Sequence, residues 1–213
     1  AYASVINTDG TLNVDKTAIS TTVAAASNTF TTIKSAFNTT YDRIAFFFTV
    51  SGIGVYTVSR VSTTLASYAA NTAVATDSTA WIGNIAHNSF TGDYQVVYTR
   101  NSGGVYYATA KTLNADGVTL ANTVDVASHA SGLEHVQNSY DATNAIFPVT
   151  WRDLSGAPYN IKAVRTVGAS NAVNGSIMTV RLDNLTSDVG YPHIFYDSTL
   201  GKYVIYFLFG ADQ

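Results

Sequence analysis

Four short apolar runs recur along the chain and predict buried β-strands. They cover residues 44–50, 94–99, 145–151 and 203–209. Glycine-rich or small polar segments follow the first three runs, at 51–54, 101–104 and 154–156, and a Tyr then opens the next apolar stretch. Because such segments mark turns between β-prone runs, we predict short strands joined by tight turns rather than helices.

An aromatic residue or His followed by Asn or Asp stands a few residues before each apolar run. We call the Asn or Asp of each pair the anchor. The pairs are Phe37-Asn38, His87-Asn88, Tyr140-Asp141 and Tyr196-Asp197. An Asn or Asp side chain at the start of a turn can accept hydrogen bonds from backbone amides, so we predict an Asx-type turn at each anchor.

Successive anchors are about 50 to 56 residues apart. The distance from the last anchor to the C-terminus, added to that from the N-terminus to the first anchor, is about 54 residues. These spacings match the repeat lengths of propeller blades. The Tyr residues that open the following strands keep the same spacing, at Tyr2, Tyr56, Tyr107 and Tyr159. Repeats of this length with four short strands each are typical of β-propeller blades. We therefore predict an all-β fold, a four-bladed β-propeller closed by pairing of N- and C-terminal strands in one blade.

The predicted blades form a single domain and cover approximately residues 29–80, 81–131, 132–188, and 189–213 together with 1–28. With 213 residues, 46% of them hydrophobic, the chain can bury a full core as one domain. Only 12% of the residues are charged, against about 25% in an ordinary domain. This low charge, with abundant Thr, Ser and Asn, favours an extracellular or virion surface location.

Composition also excludes several kinds of partner. A net charge of −3 without a basic cluster argues against nucleic-acid binding. The chain contains no Cys, so neither a disulfide nor a thiolate metal site is available. The longest apolar run, 44–50, is far shorter than the roughly 20 residues that cross a bilayer, so we expect no membrane insertion. We predict no cofactor and no metal, because the four His have no metal-ligand spacing.

A candidate site lies four residues before each anchor, where polar residues interrupt otherwise apolar strands. In a propeller the first strand of each blade lines the central channel, so these side chains are expected to form a polar ring there. The ring either binds a ligand or ion, or is a channel filled with hydrated polar groups. Its members are Lys34, Asn84, Gln137 and His193.

A second candidate site is a loop surface that carries aromatic residues, which stack on sugar rings or dock a protein. The alternative for Trp151 is a place in the core, like Phe48 and Tyr98 in neighbouring repeats. The predicted binding residues are Trp151, Arg152, Asp153, Trp81, Tyr106 and Tyr191.

The case for catalysis rests on few residues. Glycoside hydrolysis usually needs two opposed carboxylates, and the chain has a single Glu, Glu134, with many of its Asp residues in turn positions. A pair formed by Glu134 with Asp153 or another Asp is the catalytic alternative. We therefore expect no enzyme activity.

Residues 195–205 (FYDSTLGKYVI) resemble the motif of tandem β-propeller repeats found in phage tail or fibre proteins and in secreted bacterial surface proteins. Tyr140-Asp141 keeps the start of this motif, and the other two repeats have drifted further. The resemblance implies a structural or receptor-binding role, with carbohydrate as a frequent target, and carries no catalytic residue across.

These patterns together predict a noncatalytic propeller, a virion appendage or extracellular surface module. Its partners would be a glycan or protein receptor, or neighbouring structural proteins of an assembly, and an oligomer is compatible with that role. The alternative is a divergent glycan-cleaving hydrolase of propeller fold that uses an Asp/Glu pair.

Overall fold

The computed structural model describes residues 2–18, 30–50, 54–75, 81–156, 159–168, 170–180 and 189–209, and its regular elements are all β-strands. In chain order they are β1 (Tyr2–Ile6), β2 (Leu12–Ala18), β3 (Phe30–Asn38), β4 (Arg43–Val50), β5 (Gly54–Val61), β6 (Ser67–Ala75), β7 (Trp81–His87), β8 (Tyr94–Ser102), β9 (Val105–Leu113), β10 (Leu120–His129), β11 (Leu133–Asn138), β12 (Ile146–Asp153), β13 (Asn160–Val167), β14 (Val173–Val180), β15 (Val189–Asp197) and β16 (Lys202–Phe209). Within these residues no helix is long and apolar enough to cross a membrane.

The strands form repeated antiparallel sheets, which confirms the predicted all-β class. Three sheets have four strands each in sequence order, β3 to β6, β7 to β10 and β11 to β14. Two further sheets are hairpins, β1–β2 and β15–β16. There are thus five sheets rather than the predicted four, because no ladder joins β16 to β1 within the described residues. The four-blade count and the closure through the termini are not shown.

Each anchor begins the predicted Asx-type turn. In all four repeats the side-chain oxygen of the anchor accepts hydrogen bonds from the backbone amides two and three residues later, at 2.9 to 3.2 Å. The predicted turns at Asn38, Asn88, Asp141 and Asp197 are therefore confirmed. These turns connect the first two strands of each sheet, so the repeat in the sequence is a repeat in the hairpins.

The first strands of successive sheets lie side by side. β3 contacts β7, β7 contacts β11, and β11 contacts β15. Side-chain amides tie the neighbours together: Asn38 donates to the carbonyl of Gly92 at 2.8 Å, and Asn84 donates to that of Asn138 at 2.8 Å. This arrangement brings the same repeat position of successive sheets close together.

The core is divided into layers between neighbouring sheets. Phe47 and Tyr98 pack between the first and second four-stranded sheets. Val97 and Trp151 pack between the second and third. On the other face of the first sheet, Phe48 belongs to a third cluster that the β1–β2 hairpin covers. Burial of these apolar layers is the main force that holds the sheets together.

Candidate functional site

Three of the first strands share an irregular backbone at one repeat position, six residues before the anchor. Ile82, His135 and Tyr191 have positive φ angles of 33°, 52° and 50°. The pairing register of β7, β11 and β15 shifts at these residues. A bulge of this kind re-aims a side chain. A positive φ is uncommon for residues other than glycine, above all for β-branched Ile82, and such strain clusters at functional sites.

A pocket of about 200 Å³ lies among the first strands of the sheets. Residues six positions before the anchors form one layer of its lining, namely Thr32, Ile82, His135 and Tyr191. The remaining lining residues are Lys34, Gln137, Pro192 and His193. The bulged strands thus contribute equivalent positions of β3, β7, β11 and β15 to one cavity.

Three members of the predicted channel ring come together in this pocket. Lys34, Gln137 and His193 line it, as expected from the repeat. The fourth predicted member, Asn84, is not among the described lining residues. Its side-chain amide is directed at the neighbouring sheet, where it donates to the carbonyl of Asn138.

The pocket carries donors and neutral imidazoles. Burial lowers the pKa of His135, and the neighbouring Arg152 lowers it further, while Glu134 acts in the opposite direction. Burial also lowers the pKa of His193, with an added contribution from Lys34. Both imidazoles are therefore mainly neutral at pH 7, a state in which each can accept a proton.

One carboxylate stands beside the pocket. Glu134 precedes His135 in β11, and its Oε2 atom lies 2.5 Å from Nη2 of Arg152 and 3.7 Å from Nε2 of His135. The guanidinium of Arg152 also lies over the ring of Tyr159, with its Cζ atom 5.5 Å from the ring centroid. The ion pair with Arg152 holds the Glu134 carboxylate in place, and the contact with His135 links it to the pocket lining.

The predicted pair of Glu134 with Asp153 is not formed. In the β11–β12 ladder Glu134 is opposite Arg152, whereas Asp153 is opposite Leu133. Successive residues of a strand point to opposite faces of a sheet, so the two carboxylates lie on different faces. Asp153 is buried and bound to Lys162 at 2.6 Å. The prediction that Asp153 is a surface binding residue is also wrong.

The other predicted binding residues are dispersed. Trp151 is 2% exposed in the core between two sheets, so its assignment to a binding surface is wrong. Tyr106 is half-buried against the same core cluster. Trp81 begins β7, but its side chain lies outside the described part of the chain. Tyr191 does line the pocket, where its ring packs on that of His135 at 4.3 Å between centroids.

The sequence analysis did not single out Thr32, Ile82 or Pro192 for the pocket, and it considered His135 only as one of the four His without metal-ligand spacing. Counting six residues back from each anchor, instead of four, would have found Thr32, Ile82 and His135. Within the described residues no group of three His, Asp or Glu side chains is placed to hold a metal ion.

The buried histidines predict how stability depends on pH. The pKa values of His87, His135 and His193 are lowered, mainly by burial, so the unfolded chain binds more protons than the folded one near pH 6. The free energy of unfolding should therefore decrease as pH falls from 7.5 to 5.5. Urea unfolding at both values measures this, and His193→Gln should reduce the difference. A free energy that is flat or rises on acidification contradicts the placement of these side chains.

No protein-family model matches this chain, and no curated protein sequence matches it. Several solved structures are similar to it. One is "A subtype N10 neuraminidase-like protein of A/little yellow-shouldered bat/Guatemala/060/2010", with 9% identity and a TM-score of 0.50 over 78% of this chain and 48% of that one. This chain spans about half the length of that protein.

Two other solved structures are arabinan-degrading enzymes by name. The endo-arabinase from Bacteroides thetaiotaomicron has 12% identity and a TM-score of 0.49 over 84% of this chain and 74% of its own. The GH43 endo-arabinanase from Bacillus licheniformis has 10% identity and a TM-score of 0.34 over 81% and 92%. At such identities a likeness shows the fold alone, which is that of β-propeller proteins.

These comparisons correct two predictions. The prediction of a noncatalytic structural or binding propeller and the prediction that the chain is not an enzyme are contradicted, because a solved structure that shares its fold is named a neuraminidase-like protein, although the likeness itself shows the fold alone. An origin in a phage tail or fibre is not shown either. The β-propeller character of the chain is supported, and the hydrolase alternative replaces the binding module as the hypothesis to test.

Proposed function

We propose that this protein is a glycan-cleaving hydrolase that works at the pocket among its first strands, with Glu134 as the reacting carboxylate. The observation that carries the proposal is the contact between Glu134 and His135, which joins a carboxylate to a pocket built from bulged strands. A concave site with a few convergent polar groups and histidines of shifted pKa is the usual form of an active site.

Hydrolysis of a glycosidic bond breaks the bond between the anomeric carbon and the leaving oxygen, which takes up a proton, while a water adds to that carbon and loses one. An ionised Glu134 can stabilise positive charge at the anomeric carbon or accept the proton of the water. The proton for the leaving oxygen then comes from the protonated imidazole of His135 or His193, a minor form at pH 7 because burial lowers both pKa values, while Glu134 accepts the proton of the water. In this proposal one carboxylate beside the pocket and one imidazole in it take the roles that two carboxylates have in most glycoside hydrolases.

The proposal includes a fourth blade made from the two hairpins. The β1–β2 hairpin packs on the first four-stranded sheet, and Asn13 donates to the carbonyl of Thr63 at 3.3 Å. The β15–β16 hairpin packs on the third sheet, where the hydroxyl of Tyr196 bonds that of Thr143 at 3.0 Å. Pairing of β16 with β1 would close the ring, with blades at the predicted bounds, and would fix His193 beside Lys34.

We propose that the enzyme acts outside the cell, in line with its low content of charged residues. The test is to incubate the protein with a panel of neutral and acidic polysaccharides and to measure new reducing ends and the products by chromatography. We expect cleavage of at least one class of glycan. If no member of the panel is cleaved by folded protein between pH 5 and 8, the proposal fails.

A further inference from the structure

We propose that the pocket binds the carboxylate of an acidic sugar, so that the glycan cleaved is anionic. This inference rests on the proposed function, because it names the substrate class of the same site. It concerns Lys34, Gln137 and the two histidines on the strands that line the pocket, whereas the cleavage itself is assigned to Glu134.

The polar groups of the lining are matched to an anion. Among the described residues that line the pocket there is no Asp or Glu, and the formally charged side chain is that of Lys34. Within the part of the chain that the structure describes, Lys34 has no ion-pair partner. A cation in a partly enclosed pocket without a counter-charge attracts a carboxylate, and the low dielectric of such a site strengthens the attraction.

Gln137 gives a second, independent observation. Its side chain lines the pocket and is only 6% exposed. Its amide forms no hydrogen bond to the described residues. The amide atoms do not belong to the buried side-chain atoms that lack a partner, so they are accessible from the pocket. The two N–H donors of Gln137 are therefore suited to a ligand oxygen that enters the pocket.

The charge of Glu134 does not prevent an anion from binding. Its carboxylate is paired with Arg152, so the pair has no net charge. Lys34 lies on β3 and Glu134 on β11, with β7 between these strands. A sugar unit can therefore place its carboxylate beside Lys34 and direct its glycosidic bond towards Glu134.

The pocket fits a sugar acid better than a lone inorganic anion. Its volume of about 200 Å³ is several times the roughly 30 Å³ that one water occupies in the liquid. Ile82, Pro192 and the ring of Tyr191 add apolar surface beside the donors. Faces of sugar rings pack on such surfaces while their polar substituents take up hydrogen bonds.

The experiment measures binding separately from cleavage. Isothermal titration of the whole chain with oligomers of a hexuronic acid, and with the matching neutral hexose oligomers, should show binding of the acidic series alone. Lys34→Met should weaken binding about tenfold or more, and Lys34→Arg should retain most of it. Lys202→Met removes an exposed lysine on β16 and should have no effect. Circular dichroism confirms that each variant is folded.

The outcomes separate the two proposals. Equal binding of the neutral series, or unchanged binding in folded Lys34→Met, overturns the anion pocket. Full displacement of the uronate by equimolar phosphate or chloride also overturns it, because the site is then one for inorganic anions. Uronate binding without cleavage of any acidic polysaccharide contradicts the proposed hydrolase activity but supports the anion pocket. Cleavage of a neutral polysaccharide without uronate binding supports the hydrolase and overturns the anion pocket.

Discussion

Replacing Glu134 with glutamine should lower kcat/KM for the cleaved glycan by about 10³-fold, within the range of about 10² to 10⁴ that general acid–base groups contribute. Glutamine has nearly the same shape but carries no negative charge and accepts no proton. Arg152 would lose its ion-pair partner at a half-buried position, which costs little stability. Steady-state kinetics with the glycan identified in the panel measures the effect.

Asp125→Asn is a matched control for this variant. Asp125 forms an ion pair with Arg100 at 2.7 Å, and Arg100 occupies in β8 the place that Arg152 has in β12. The control therefore removes a carboxylate from the same kind of pair, away from the pocket. Its kcat/KM should stay within about twofold of the wild type, as expected for a surface substitution. Equal losses in the two variants, or full activity of Glu134→Gln, would exclude Glu134 as the reacting group.

Replacing Asp141 with alanine should give the largest loss of stability, about 3 to 5 kcal/mol, as for a buried charge partner that is removed. The Asp141 carboxylate is fully buried and accepts four hydrogen bonds, including one from the Tyr203 hydroxyl at 2.6 Å. Burial alone would raise the pKa of Asp141, but these hydrogen bonds outweigh it and lower the pKa. Alanine leaves the donors without an acceptor. Urea unfolding followed by fluorescence measures the difference.

Asp197→Ala tests an equivalent turn in which the Asp carboxylate is less buried. Asp197 begins an equivalent turn, accepting from the amides of Thr199 and Leu200 at 2.9 and 3.0 Å, but it is only half-buried. Its loss should cost about 1 kcal/mol, as for other side-chain caps of backbone amides. If both variants lose the same amount, the turn alone accounts for the effect and the contact between Asp141 and Tyr203 is not important for stability.

The repeat was sufficient to predict the fold class and the turns. Asn38, Asn88, Asp141 and Asp197 were identifiable because an Asx turn is local, depending on one side chain and the amides that follow it. The apolar runs that follow each turn form the second strands of the sheets, buried on both faces as in residues 45–50 of β4. Local chemistry and the hydrophobic pattern therefore agree over most of the described chain.

The details of the site depend on register, which the sequence pattern does not determine. The bulges at Ile82, His135 and Tyr191 lie on first strands that contact those of neighbouring sheets, and no local sequence signal marks them. A shift of one residue decides which face a side chain occupies. That is why Asp153, adjacent to Arg152, is directed into the core side of the sheet and away from Glu134.

The sequence motif at 195–205 also led to the wrong functional class. Its Asp197 and Gly201 belong to the β15–β16 turn, so the motif describes how a hairpin is built and carries no information about the pocket. The pocket residues are separated by about 50 positions along the chain and become neighbours only through the packing of the first strands. A propeller can hold a binding site or a catalytic site on the same framework.

The most direct test of the account is a crystal structure of the Glu134→Gln protein with the glycan that the wild type cleaves. The account predicts a sugar unit in the pocket lined by Lys34, Gln137 and His193, with the glycosidic bond beside residue 134. A glycan bound at the Asx-turn end of the sheets, or along the outer strands β6, β10 and β14, would contradict it.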